Sequence, residues 1–194
     1  MANSIKKAQE HLTNAFNHFQ EEEYDQCILE CNLALEIIEK TKGDNNKLKE
    51  EVLYRLAEAL FYNGDYQKAI ESYSDSIFLL LTMGNNEELI ISRNIDIGFC
   101  FSWDEKLDDA LRVHKQAAKD LKKLKGSDSD EYYQQTANVA AAYYDLNDLD
   151  NAIEIYKSAI NYRESKYEEN DYELNKYKNS LAGCLYNNGN LTEA

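Results

Sequence analysis

Proline is absent from this sequence, and glycine occurs only seven times in 194 residues. Ala, Leu, Glu, Lys, Asn and Tyr dominate instead, which makes an all-helical chain the natural reading. Long apolar runs are missing too. The longest, Ile77-Phe78-Leu79-Leu80-Leu81, is far short of the roughly 20 residues a membrane span needs, so no membrane partner is expected. Basic charge is scarce: 21 Lys and Arg stand against 36 Asp and Glu, a net charge of −15. Phosphate binding draws mainly on Lys and Arg, so broad affinity for nucleic acid or anionic lipid is not expected. Four cysteines, at positions 27, 31, 100 and 184, show no pair-of-pairs metal spacing and are too sparse for a disulfide framework. They are predicted to be reduced and structural. The first residues, Met1 to Lys7, contain no apolar signal region, and a cytoplasmic address follows as the expectation. What is present suffices for a core, since 43% of residues are hydrophobic against 29% charged, and wholesale disorder is excluded.

Self-similarity organises the rest. The stretch Asn63-Gly64-Asp65-Tyr66-Gln67-Lys68-Ala69-Ile70 reappears around Tyr24, Leu107, Leu149 and Leu191, with a small residue at 27, 69, 110, 152 and 194. The steps are 42, 41, 42 and 42 residues, so five copies of one unit are present. Twelve residues upstream come Ala15, Ala57, Gly98, Ala140 and Ala182; seven downstream come Ala34, Ser76, Ala117 and Ala159. Helices that pack closely side by side need small side chains at such crossings. Gly43, Gly84 and Gly126 fall between units as helix stops. The fourth junction, Tyr167 to Asp171, has no glycine and is predicted to turn on Asn or Asp chemistry. Each unit reads as helix, turn, helix. In the second unit the first helix is predicted over 49–62, with Leu53, Leu56, Ala57 and Leu60 forming an amphipathic stripe. One such pair cannot bury its own apolar side, so stacking of pairs into a superhelix is expected.

Gly64-Asp65-Tyr66 with Ala69, after Leu56-Ala57 and Leu60 and before Tyr73 and Ser76, resembles the tetratricopeptide repeat. The resemblance implies an all-α, α-α superhelix (a TPR solenoid) of about five helix-turn-helix repeats, the last incomplete. As one array over 1–194, the repeats are 4–42, 46–83, 87–125, 129–167 and an incomplete 171–194. The family's usual unit has about 34 residues; the excess of about eight equals roughly two helical turns. Units of this length resemble those of kinesin light chains and bacterial peptide-pheromone receptors. Ala137-Asn138-Val139-Ala140, Asn179-Ser180-Leu181-Ala182 and Tyr162-Arg163-Glu164 look most like the kinesin-light-chain variant, although the proline that usually follows each unit is missing. HEAT and armadillo repeats have similar lengths but would not predict the turn followed three residues later by Ala or Cys.

In that family the first helices line a concave groove. Counting in phase, one column holds Phe19, Phe61, Ser102, Tyr144 and Tyr186, and its neighbour Gln20, Tyr62, Trp103, Asp145 and Asn187. A third holds Phe16, Glu58, Phe99, Ala141 and Gly183, whose small last members would leave space for a guest chain. The candidate peptide-binding residues are therefore Tyr54, Phe61, Tyr62, Phe99, Trp103, Asn138, Tyr144, Asn179 and Tyr186. Tyr and Trp offer large, rigid contact area with a polar tip, and an Asn amide can meet both donor and acceptor of a guest backbone. A second reading stands beside this one: the same aromatics pack between neighbouring helices, and the asparagines bond to them. The family's clamp for a C-terminal carboxylate is not expected, because Tyr54, Glu58, Ile95, Phe99 and Ala137 stand where its basic cluster would be.

The acidic runs Glu21–Glu23, Asp104-Glu105, Asp128–Glu131 and Glu168–Asp171 mostly fall at turns and helix starts, where the helix dipole favours carboxylates; where part of the excess lines the groove it favours a neutral to basic partner segment, and the net charge argues against transferring the acidic-peptide preference known for kinesin light chains. Catalytic sites, metals and cofactors are not expected: His11, His18 and His114 lie in different columns, no Gly-rich phosphate loop occurs, and Cys27 and Cys31 occupy core phase. The function expected is a non-catalytic scaffold that binds a partner peptide or helix. The sensor domain of a peptide-pheromone receptor and a structural assembly module remain as alternatives. Self-association is possible through the apolar Phe78–Leu81 region, or through the end at Ala194, where the sequence reads as a fragment of a longer array or an end capped by another molecule.

Overall fold

A computed structural model describes residues 2–84, 86–168 and 171–189. The end of the fifth copy, with the small residue Ala194, lies outside the described residues, as do Glu169 and Asn170 of the fourth junction. Among the described residues there are nine helices and no strand. They are α1 (Ala2–Gln20), α2 (Tyr24–Lys40), α3 (Asn46–Tyr62), α4 (Tyr66–Met83), α5 (Glu87–Trp103), α6 (Leu107–Lys125), α7 (Asp130–Asp145), α8 (Leu149–Lys166) and α9 (Tyr172–Asn187). The chain divides into two compact units, 1–104 and 105–194.

In the first unit each helix packs on the next in sequence, and α1 also touches α3. The first helices, α1, α3 and α5, thus form one layer and α2 and α4 the other. Small side chains make the close crossings. Ala15, Ala57, Cys27, Ala69, Ala34 and Ser76 have no exposed surface, and around them Val52, Leu53, Leu56, Leu60, Tyr73 and Leu80 form the core. Helix α3 starts at Asn46, three residues before the predicted start at 49, because Asp44 Oδ1 accepts from the Asn46 amide (3.1 Å) and the Asn45 carbonyl from the Lys49 amide (2.9 Å). That polar first turn carries no apolar period to reveal it.

The second unit repeats the arrangement: α6 packs on α7, α7 on α8 and α8 on α9, with α7 also touching α9. Ala140, Ala152, Ala159, Tyr156, Leu174, Tyr177, Cys184 and Leu185 make up its core. At the described end of the glycine-free junction after α8 stands Asp171. Asp171 accepts from the Leu174 amide (2.8 Å), capping α9, and from both Nε (2.9 Å) and Nη2 (2.6 Å) of Arg163. A fork of this kind fixes direction as well as distance.

The turn inside each unit has one geometry. After α3 the Gly64 amide donates to the Phe61 carbonyl (3.0 Å) and the Asp65 amide to that of Leu60 (2.9 Å), a Schellman close that needs a left-handed residue at its centre. Gly64 takes it at φ 85°, where a glycine has no Cβ to strain. The equivalent positions in three other copies are not glycine: Glu22, Glu105 and Asn147 hold φ near 60°.

Candidate functional site

The first-helix layer of the first unit carries most of the aromatics singled out from the sequence, in two environments. Tyr62 is 58% exposed, yet its ring stacks on Tyr24 (5.5 Å between centroids, 15° between planes) and meets Phe19 edge-on at 5.6 Å. Phe61 is half-buried, 5.3 Å from Tyr62 and 5.7 Å from Tyr66. Trp103 is 65% exposed at the end of α5, and Phe99, one turn earlier, is 37% exposed. Tyr54 is half-buried. The Arg93 guanidinium lies 3.3 Å from its ring centroid, and burial together with Glu58 raises its phenol well above the usual range.

Beneath these rings is a polar seam that the sequence reading did not pick out. Arg93, almost fully buried, donates to Glu50 Oε1 (3.1 Å), which also accepts from Ser76 Oγ (2.8 Å). The guanidinium of Arg55 lies over the rings of Phe19 (4.6 Å) and Phe16 (5.1 Å) and pairs with Glu58 (2.9 Å). Cations over aromatic faces gain from the ring quadrupole while keeping the rings in place. Asp96 is the unusual member. Its Oδ2 is buried without a hydrogen-bond partner, and burial, helped by nearby Glu58 and opposed by Arg93, pushes its carboxyl up to about 7. Arg55 and Asp96 occupy equivalent repeat positions with Thr13, Asn138 and Ser180, so a wholly polar column two residues before the small one was the available signal.

In the second unit that column holds Asn138, whose Nδ2 donates to Gln135 Oε1 (2.9 Å). Gln135 is buried, and its Nε2 in turn donates to Nδ1 (3.1 Å) and to the carbonyl oxygen (3.0 Å) of His114. Burial drops the His114 imidazole to about 4, so it is neutral at ordinary pH and can accept at Nδ1. Asn138 is thereby held by one amide hydrogen, and its side-chain oxygen has no hydrogen-bond donor among the described residues. Tyr144, 38% exposed, accepts from Asn187 Nδ2 (2.7 Å), while Tyr186 is 66% exposed and Asn179 is exposed. A Cβ added at Gly183 would meet nothing within 4 Å, so the surface between Tyr186 and the preceding turn of α9 is open.

For metal chemistry one trio among the described residues, His18, Glu21 and Glu23, can bring three ligand atoms within 4.8 Å of one another. It is the turn between α1 and α2, closed by His18 Nδ1 against Glu23 Oε2 at 2.6 Å. All four cysteines are buried as free thiols, and burial pushes Cys100 up to about 12, which leaves it a poor nucleophile. No helix among the described residues is long and apolar enough to cross a membrane.

Comparison with known proteins bears on the fold. Residues 7–77 match the tetratricopeptide repeat model. No curated protein sequence matches the chain. Among solved structures, a Podosopora anserina kinesin light chain of nearly identical TPR-like repeats aligns over 100% of this chain and 92% of its own, with 15% identity and a TM-score of 0.82. BtubC (BKLC) from P. vanneervenii aligns over 100% and 83%, with 17% identity and a TM-score of 0.78. A Rap protein complexed with competence and sporulation factor aligns over 97% of this chain but 51% of its own length, with 16% identity and a TM-score of 0.69. The family match over 7–77 and the shared fold over the remainder agree with the five-fold sequence period: residues 7–77 match the tetratricopeptide repeat, and the chain as a whole has the fold of TPR-like repeat proteins.

Proposed function

We propose that this protein is a non-catalytic scaffold that holds a neutral to basic peptide segment of a partner against the exposed side of its first helices. One observation carries the reading. Tyr62 and Trp103 occupy one repeat column of the first unit, Tyr144 and Tyr186 the adjacent column of the second, and all four present ring surface to solvent although each unit has a complete core without them. Large rigid rings on a regular lattice are what peptide anchoring uses. Asn138 and Asn179 supply amides for a guest backbone, and Phe99 adds apolar surface beside Trp103. Tyr54 and Phe61 belong to the same set as its packed backing. The first unit carries nine Lys and Arg against 19 Asp and Glu, which sets the sign of the preferred partner.

The test uses peptides selected from a random display library on the whole protein, with affinity read from quenching of Trp103, the sole tryptophan. Tyr62→Ala with Trp103→Ala, and separately Tyr144→Ala with Tyr186→Ala, are measured by anisotropy of the labelled peptide. At least one pair should weaken binding about tenfold or more, at unchanged helical content. Unchanged affinity in both would reject the reading. A sensor of short signalling peptides is the second reading, favoured by likeness over 97% of the chain to the Rap protein complexed with competence and sporulation factor. It requires a ligand-induced change in radius of gyration, which the scaffold does not.

A further inference from the structure

The outward face of α6 differs in charge from the rest of the molecule. Between Lys106 and Lys125 there are seven Lys and Arg against three Asp, a net +4, so the remaining residues of this −15 chain carry −19. Five of the seven, Arg112, Lys115, Lys119, Lys122 and Lys123, recur at helical spacing on one exposed side. The repeat itself supplies the control. At the same five positions α4 has no basic residue, α2 has Lys40 beside Glu36 and Glu39, and α8 has Lys157 between Glu154 and Glu164. Packing therefore does not ask for lysine there.

Internal pairing does not use the charge up. Arg112 reaches Asp109 (2.9 Å), Lys115 donates to the Tyr143 hydroxyl (3.1 Å), and Lys122 lies 5.6 Å from the Tyr132 ring centroid. Asp120, the acid nearest Lys119 and Lys123 in sequence, is taken by Gln116 at 3.0 Å from both its oxygens. Lys119 and Lys123 have no carboxylate partner among the described residues. Along the stripe, Leu111, Arg112, Lys115, Gln116 and Lys119, with Asp108 as the one acid, line a shallow recess of about 440 Å³.

We infer that the α6 face is a second docking surface, separate from the aromatic first-helix face, for a short acidic segment of a partner protein. Charge complementarity sets the sign. Length sets the class: from Arg112 to Lys123 the stripe runs about 16 Å along the helix, the span of about five extended residues. A membrane plane or a long nucleic acid would also meet the surrounding surface, whose net charge repels it, whereas a short segment meets only the stripe.

The probe is a labelled peptide of about six glutamates, followed by anisotropy against the whole protein at about 0.05 M salt. Saturable binding is expected, weakened about tenfold or more by Arg112→Glu, Lys119→Glu and Lys123→Glu together, and by raising the salt. The milder triple change to Gln, at three exposed sites, should weaken it in the same direction if the Glu variant does not fold. The Tyr62→Ala, Trp103→Ala protein should bind the probe like wild type, which keeps this surface distinct from the aromatic one. Absence of binding, or wild-type binding by both triple variants, would overturn the inference. So would tighter binding of phosphatidylserine vesicles or single-stranded RNA than of the peptide. Sedimentation showing that wild type self-associates through these residues, while the triple variant stays monomeric, would assign the face to a second copy and overturn it as well.

Discussion

Asp96 shows how much a single side chain in this scaffold departs from its ordinary chemistry. Its folded-state carboxyl is raised to about 7 from 3.8, chiefly by burial. A folded state that holds the proton more tightly than the unfolded chain gains stability at low pH. That contribution is fully present below about 4 and declines as pH rises to about 7. Asp96→Asn removes the ionisation while keeping the shape. Urea unfolding across pH 4–8 should show the variant more stable than wild type by about 1–3 kcal/mol at the alkaline end, with the difference closing toward the acid end. An unchanged pH profile would show that the carboxylate is solvated. The sequence shows Asp96 only as one member of a polar repeat column. Tyr73 on α4 and Tyr54 and Glu58 on α3 lie near enough to interact with its charge, and no periodicity within α5 reports those neighbours.

At the scale of the helix pair, the left-handed turn residue decides the local energetics. Glu22 at φ 59° and Gly64 at φ 85° do the same work at equivalent positions. In both turns the amides of the left-handed residue and of the one after it bond back to α-helix carbonyls, Glu22 to Phe19 (3.1 Å) and Glu23 to His18 (2.8 Å) in the first. A side chain at such φ costs about 1 kcal/mol. Glu22→Gly should therefore raise stability by about 0.5–1 kcal/mol and Gly64→Ala lower it by about 1 kcal/mol, both seen as shifts in Tm. Opposite signs from one backbone geometry make the pair informative. These turns were legible in advance, because Asn63-Gly64-Asp65 and its copies recur every 41 or 42 residues. That glutamate would take the same left-handed geometry was not legible, since nothing in Glu21-Glu22-Glu23 by itself marks a turn.

Across the whole molecule, the small columns set how closely helices approach, and the burial of each member depends on neighbours on both sides. Ala140 has no exposed surface, whereas Ala182 in the same column is only half-buried. Ala140→Leu should cost about 1–3 kcal/mol from overpacking, and Ala182→Leu well under half of that, by chemical denaturation. Equal costs would mean that the column does not control the crossings. The helix count among the described residues and, within each unit, the pairing of consecutive helices and the close crossings were determined by the sequence, because a period of 42 with three small positions per unit permits little else. Which aromatics face solvent was decided only by the tertiary structure. Phe61 and Tyr62 are adjacent in sequence and alike in chemistry, yet one is half-buried against Tyr66 and the other exposed beside Phe19 and Tyr24. The physical reason is that a repeat fixes the phase of a side chain on its own helix, while exposure depends on which particular neighbours arrive from the helices stacked against it.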